Sequence, residues 1–237
     1  MSFVASNISR NIISPIIDFI YPPVCISCNQ LLADGSQKVC PGCWNSIQCV
    51  TRELPLYSET KQKLLDSGVI SDLVSAFVFE KEGTFQHIAH ALKYNGYESL
   101  GRELGKQIGN RAIDWRVHAD CVIPIPLHKV KRRERGFNQS DHIANGISSI
   151  LGIPTHTTIV QRKKHTQTQT MLSMDERRKN VEDAFEIDRS KHSQIDGRVC
   201  LLVDDIITTG ATLNSCAQEL IKGGASQIIA ASAALAQ

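Results

Sequence analysis

The sequence predicts an α/β fold: a parallel sheet flanked by helices, preceded by a small cysteine-rich module. Three observations predict it. Two short runs, 121–125 and 199–203, are almost wholly apolar, as expected of parallel strands buried on both faces rather than of half-exposed strands, which alternate. Elsewhere apolar residues recur at helical spacing, as in Phe85, Ile88, Ala89 and Leu92. Near the amino terminus, Cys25-x-x-Cys28 and Cys40-x-x-Cys43 form two knuckles separated by eleven residues. The 237 residues can bury a sizeable core. They divide into a helical segment at 1–22, the cysteine module at 23–50 and the main domain at 51–237.

In the first segment Ile8, Ile12, Ile13, Ile16, Ile17, Phe19 and Ile20 make an apolar face at roughly helical spacing, broken near Pro15, and suited to docking on the chain's own core. The apolar stretch is too short to span a bilayer and lacks a small-residue cleavage site, so no membrane insertion and a cytoplasmic location are expected.

The cysteine knuckles suit one zinc ion held by four thiolates, Cys25, Cys28, Cys40 and Cys43, each Cys-x-x-Cys turn presenting two sulfurs to one point. Four protein ligands leave no open position, so the zinc is expected to be structural. Disulfides are the competing reading, and a reducing compartment argues against them. Cys49 is a spare candidate ligand, whereas Cys121, Cys200 and Cys216 sit in apolar settings as small core residues.

In the main domain, 51–72 reads as a linker with a short helix and 73–79 as a strand turned at Glu82 and Gly83. A helix through Phe85 and Leu92 leads to Leu92-Lys93-Tyr94-x-Gly96. There Lys93 and Tyr94 either touch a substrate or merely precede a helix-ending glycine. A second helix is predicted over 98–113 and a strand over 121–125. That strand exits through Pro126, Leu127 and His128 into a basic loop. Lys129, Lys131, Arg132, Arg133 and Arg135 stand there against one acid, Glu134. A net charge of +2 gives no global field, so attraction for a pyrophosphate or a nucleic-acid backbone has to come from local surface such as this. Phe137 is available to stack on a base; a solvated basic loop is the plainer reading. A third charged stretch, 161–179, carries Arg162, Lys163, Lys164, Arg177, Arg178 and Lys179 and reads as a lid over a bound phosphate or as an exposed linker. The segment 180–187 reads as an edge strand or hairpin.

The run 199–203 ends in Asp204 and Asp205, followed by Thr208, Thr209, Gly210, Ala211 and Thr212 at the start of a helix predicted over 212–222. In open α/β sheets ligands bind at the carboxyl edge. Two acids there can accept from a vicinal diol or reach a divalent cation. Backbone amides and a helix dipole behind them favour a phosphate. The order reads as a sugar-phosphate cradle, with an ordinary strand, turn and capped helix as the alternative.

The string VDDIITTGAT at 203–212 resembles the signature of type I phosphoribosyltransferases, which bind phosphoribosyl pyrophosphate. The resemblance implies that Asp204 and Asp205 hold the ribose hydroxyls, that Thr208, Thr209, Gly210, Ala211 and Thr212 wrap the 5-phosphate, and that Mg²⁺ bridges diol and pyrophosphate. Further motifs narrow it. The paired knuckles, Leu92-Lys93-Tyr94-x-Gly96, Pro124-x-Pro126-Leu127 leading to Arg135-Gly136-Phe137-Asn138-Gln139, Thr166-x-x-Gln169-x-x-Leu172, Arg177, Asn180 and Phe185 together resemble the ComF group of phosphoribosyltransferase-like proteins. What this implies is a type I phosphoribosyltransferase fold with an amino-terminal zinc-ribbon-like module, associated with natural competence. It also implies action on incoming single-stranded DNA beside a helicase-like partner. Pro126, Leu127 and His128 then join the ligand site, and Lys129, Lys131, Arg132, Arg133, Arg135, Phe137, Arg162, Lys164 and Arg177 face pyrophosphate or DNA. An active transferase of nucleotide metabolism or salvage with an unknown acceptor, and a non-catalytic nucleotide sensor or adaptor, are the alternatives.

Overall fold

A computed structural model describes residues 22–33, 37–162 and 184–236. The apolar face of the first segment, Lys163, Lys164, Arg177, Arg178, Lys179 and the 166–183 motifs lie outside the described residues.

Four parallel strands, β1 (Asp72–Val78), β2 (Cys121–Pro124), β5 (Val199–Ile207) and β6 (Gln227–Leu235), form a sheet in the order β1-β6-β5-β2. Alternate residues of β5 feed two cores. Leu201 and Val203 join one with α3 (Thr84–Tyr94), α4 (Glu98–Asp114) and α6 (Gln139–Leu151), while Cys200 and Leu202 join the other with α2 (Pro55–Leu65) and α7 (Ala211–Lys222). Covering both faces explains why these strands show no polar alternation. Because every strand runs the same way and Pro124 pairs with Val203, the exits of β2 and β5 share one edge.

Three expectations change. β5 does not stop at Val203: it runs nine residues, carrying Asp204 and Asp205 within it, because β6 is equally long and Ser232, Ala234 and Leu235 continue the ladder opposite Asp204, Ile206 and Ile207. The basic exit of β2 is not a loop. Its segment forms a short helix, α5 (Lys129–Arg135), whose first turn is capped by His128 Nδ1, accepting from the Val130 N–H at 3.3 Å, and which ends at Gly136 with φ 81°. Lysine and arginine are good helix formers, so charge does not prevent the turn. Phe137, expected to be available for stacking, is instead half-buried, edge-on to His142 at 5.4 Å. Strand β6 and helix α6 carry no counterpart among the sequence expectations.

Helices α4 and α6 touch at their backbones. A Cβ on Gly105 would collide with the Ile143 carbonyl, and one on Gly146 with the Arg102 carbonyl, so glycine at both sets the interhelical distance. Short strands β3 (Val160–Arg162) and β4 (Phe185–Ile187) pair antiparallel, so the described end of the segment read as an edge strand or hairpin at 180–187 is a strand.

The cysteine module docks on the first core. Cys25, Leu32, Val39, Cys43 and Ile47 are buried in the same cluster as Val74, Phe77, Phe85 and Leu92. Trp44, on α1 (Pro41–Ser46), stacks on Phe77 at 5.8 Å. Among the described residues no helix is long and apolar enough to cross a membrane.

Candidate ligand site at the carboxyl edge of the sheet

The sulfurs of Cys25, Cys28, Cys40 and Cys43 lie within 4.8 Å of one another, with Cys25 and Cys43 buried and Cys28 exposed. Four thiolates about 2.3 Å from a tetrahedral zinc would stand about 3.8 Å apart. Cys28 and Cys40 are already at 3.7 Å. The Cys40 N–H donates to Cys25 Sγ at 3.3 Å and the Cys43 N–H to Cys40 Sγ at 3.3 Å. Burial pushes the Cys25 thiol up, but hydrogen bonds from the backbones of Cys40, Cys28 and Ser27 more than offset this and bring it down to about 6. This donor set fits a structural zinc ion. Cys49 is not part of the cluster, its backbone bridging Phe77 instead. Cys121, Cys200 and Cys216 are fully buried, as expected of core residues.

At the carboxyl end of β5 the two acids arrange each other. Asp204 accepts from the Asp205 N–H at 2.9 Å, and Asp205 accepts from the Ile206 N–H at 2.9 Å. The second oxygen of Asp205 meets Lys93 Nζ at 2.8 Å. Lys93 comes from the last turn of α3, so the Leu92-Lys93-Tyr94-x-Gly96 motif reaches the acid corner. Burial, and then the charge of Asp205, push Asp204 up to about 7, the Asp205 N–H hydrogen bond opposing. Arg162 lies near enough for Asp204 to oppose the effect of burial, which holds its guanidinium below the usual range. Among the described residues, one ammonium, that of Lys93, is directly paired with the acid corner, through Asp205. The remaining negative charge is what a divalent cation, or the hydroxyl donors of a diol, would balance.

Beside the acids the chain turns into α7. Asp204, Ile206, Thr208, Thr209, Gly210 and Thr212 help line a concavity of about 50 Å³. That is several water-sized positions, room for a tetrahedral anion. The helix has no side-chain cap, and Thr209 Oγ1 accepts from the Ala211 N–H at only 3.4 Å. The first turn of α7, whose Ala211, Thr212 and Leu213 also line the concavity, therefore keeps amides with little internal competition. Gly210 makes the turn possible on two counts: φ is 74°, and an added Cβ would lie 2.5 Å from Leu64 Cδ2 on α2.

Pro126, Leu127 and His128 are half-buried at the neighbouring strand exit. His128 spends Nδ1 on capping α5. Lys129, Lys131, Arg132 and Arg133 are exposed along α5, and Arg135 holds its guanidinium 5.4 Å from the Tyr94 ring. Asn138 was not singled out as a site residue. It fixes this corner by donating to the Ile125 carbonyl at 3.0 Å and to Asp141 Oδ1 at 2.8 Å.

Residues 140–236 match the phosphoribosyl transferase domain family and 16–54 the double zinc ribbon domain. Competence protein F of Haemophilus influenzae is 43% identical over 109 residues, 46% of this chain and 47% of that one. DNA utilization protein YhgH of Salmonella typhi is 32% identical over 146 residues, 60% of this chain and 63% of that one. Competence protein ComFC of Bacillus subtilis is 25% identical over 211 residues, covering 85% of this chain and 79% of the relative. In the matches at 34–43% identity, the chain spans about half the length of the curated relative, 46–47%.

Proposed function

We propose that this chain, which matches the phosphoribosyl transferase and double zinc ribbon domain families and is similar to competence protein F and ComFC, is a ComF-group protein whose acid corner binds phosphoribosyl pyrophosphate with Mg²⁺ while α5 holds single-stranded DNA, in the service of competence and DNA use in the cytoplasm. The observation that carries the reading is the shared wall: Asp204 lines the same concavity as Thr208, Thr209, Gly210 and Thr212. A ribose that places its diol on the acids sets its 5-phosphate against the uncapped start of α7. Asp204 and Asp205 are the residues that would hold the magnesium, which when bound neutralises pyrophosphate charge. The threonine hydroxyls and first-turn amides bind the 5-phosphate, and Lys93 balances Asp205.

The DNA part of the reading rests on charge placement. The exposed cations of α5 leave the sheet at the edge that carries the acids, and names such as competence protein and DNA utilization protein belong to relatives of this chain.

Thermal unfolding with phosphoribosyl pyrophosphate, with and without Mg²⁺, tests the pocket. At ligand about 100-fold above Kd the stabilisation is about 2.7 kcal/mol, which at this chain length raises Tm by about 5–10 °C. Asp204→Ala and Asp205→Ala should each abolish the rise; a wild type that does not respond refutes the pocket. Arg132→Ala with Arg133→Ala should weaken single-stranded DNA binding and flatten its salt dependence, the slope falling by about 0.7 for each phosphate the variant no longer neutralises. Pyrophosphate release in the presence of acceptor bases would identify a transferase.

A further inference from the structure

Tyr94 is 64% exposed, and among the described residues it is the one Phe, Tyr or Trp that solvent reaches so fully. A single exposed ring needs no explanation by itself; what surrounds this one does. The His90 ring, one helical turn back, lies 4.8 Å away at 42°, and the Arg135 guanidinium stands 5.4 Å from the ring centroid. The residue before it, Lys93, reaches Asp205 at 2.8 Å, so Tyr94 adjoins in sequence a residue of the acid corner. The helix ends at Tyr94, and Gly96, two residues on, turns the chain away at φ 69°. Arg135 also closes α5, whose Lys129, Lys131, Arg132 and Arg133 face solvent. An exposed aromatic ring with a guanidinium and an imidazole beside it, next to the exposed cations of α5, matches the chemistry of a base and its backbone.

We propose that Tyr94, with Arg135 and His90, is a stacking platform for an unpaired nucleobase. The inference rests on the reading of this edge as a phosphoribosyl and nucleic-acid site, and names the residue that meets the base. Phe137, the other aromatic near α5, is half-buried against His142, whereas Tyr94 is exposed. The base arrives either as a free nucleotide or within a single strand, and the chemistry of recognition is the same.

The full chain is titrated with a short oligothymidylate, an abasic oligomer of equal length and free nucleoside monophosphates, following anisotropy or heat. Tyr94→Ala should weaken the oligothymidylate by about 5- to 150-fold, the range that alanine substitution of one stacking residue produces, and leave the abasic oligomer unchanged. Tyr94→Phe should restore binding, because the ring and not the hydroxyl stacks; Tyr94→Leu, apolar but not aromatic, should not. Loss confined to the oligomer assigns the platform to a strand, and loss for the monophosphates assigns it to a free nucleotide. Undiminished binding of every base-bearing probe by Tyr94→Ala overturns the platform alone. A wild type that binds no base-bearing probe overturns it together with the DNA reading, while stabilisation by phosphoribosyl pyrophosphate and Mg²⁺ reports separately on the acid corner.

Discussion

The four-cysteine cluster and the Asp204–Asp205 corner both gather polar side chains on one point, yet the chain finishes them differently. Two of the four cysteines are buried in the main core, backbone amides already address the sulfurs, and the geometry is that of a bound tetrahedron. The acid corner is open. Its carboxylates crowd each other, one of them leans on a borrowed lysine, and the concavity beside them is lined by hydroxyls. The first arrangement suits a resident ion that helps the chain fold; under the reading proposed above, the second suits a ligand that comes and goes.

Metal removal breaks this comparison most sharply. Structural zinc in small modules contributes about 10–16 kcal/mol of folding free energy at neutral pH. Here the ribbon's Leu32, Val39 and Ile47 pack on Phe77 and Phe85, so its loss uncovers the main core. Cys43→Ser should remove the zinc found by elemental analysis and lower Tm by more than about 10 °C, or leave the protein insoluble. Omitting magnesium should leave the ligand-free Tm unchanged. If zinc removal left Tm unchanged too, the two sites would not differ in kind.

A smaller effect is expected in the turn that leads into α7. Gly210→Ala forces a side chain into the left-handed region and against Leu64 Cδ2, 2.5 Å away. A destabilisation of about 2–4 kcal/mol follows from strain and overpacking together. Leu64→Ala in the same chain relieves the collision but not the backbone strain. A double-mutant cycle by denaturant unfolding should therefore show favourable coupling and incomplete rescue. Additivity would mean that Leu64 does not support the turn.

Both sites were legible in the sequence because each is a local string. Cys-x-x-Cys repeated at short spacing has few other physical meanings, and an apolar run ending in two acids before Thr-Thr-Gly places a turn and a helix start without help from the rest of the fold. What was not legible depends on partners distant in the chain. β6 reads QIIAASAAL, where alanine favours helix and nothing alternates; it is a strand because β1 and β5 pair on its two sides. β5 continues through its acids for the same reason. The packing of α6 turns on Gly146 meeting Gly105, forty-one residues apart, which no local pattern announces. Lys93 was visible as a residue that either touches a substrate or precedes a helix-ending glycine, but its ion pair, which joins α3 to β5 across more than one hundred residues, was not. Asn138 sat inside a noticed motif, but its bonds to Ile125 and Asp141 needed the folded corner.

The acid corner should also show in the pH dependence of stability. Asp204 is raised in the folded protein from 3.8 to about 7, first by burial and then by Asp205. Folding therefore favours its protonated form. The stability it contributes is full below about pH 4 and is lost as pH rises through about 7. Asp204→Asn, which cannot ionise, should be more stable than wild type at pH 8, with the difference fading toward pH 5, as read from Tm across that range. A constant difference at all pH values would show that Asp204 is not crowded.

The smallest expected effect concerns the borrowed lysine. Lys93 Nζ places one positive charge 2.8 Å from Asp205, both side chains being a quarter exposed or less, and a divalent cation approaching the same carboxylates in the ligand-free protein has to work against it. Lys93→Met keeps the length and apolar packing of the stem while removing the charge. Manganese, titrated into the ligand-free protein as a spectroscopic stand-in for magnesium, should then bind several-fold more tightly. One charge about 4 Å away at an effective dielectric near 20 contributes up to about 4 kcal/mol before screening, and partial exposure reduces this to a fraction. Asp205→Asn with Lys93→Met should reverse the gain, because the carboxylate that the ammonium guards is then absent. Weaker manganese binding in Lys93→Met would instead mean that Lys93 shapes the acid corner for the cation, and the corner would resemble the cysteine cluster in being preassembled.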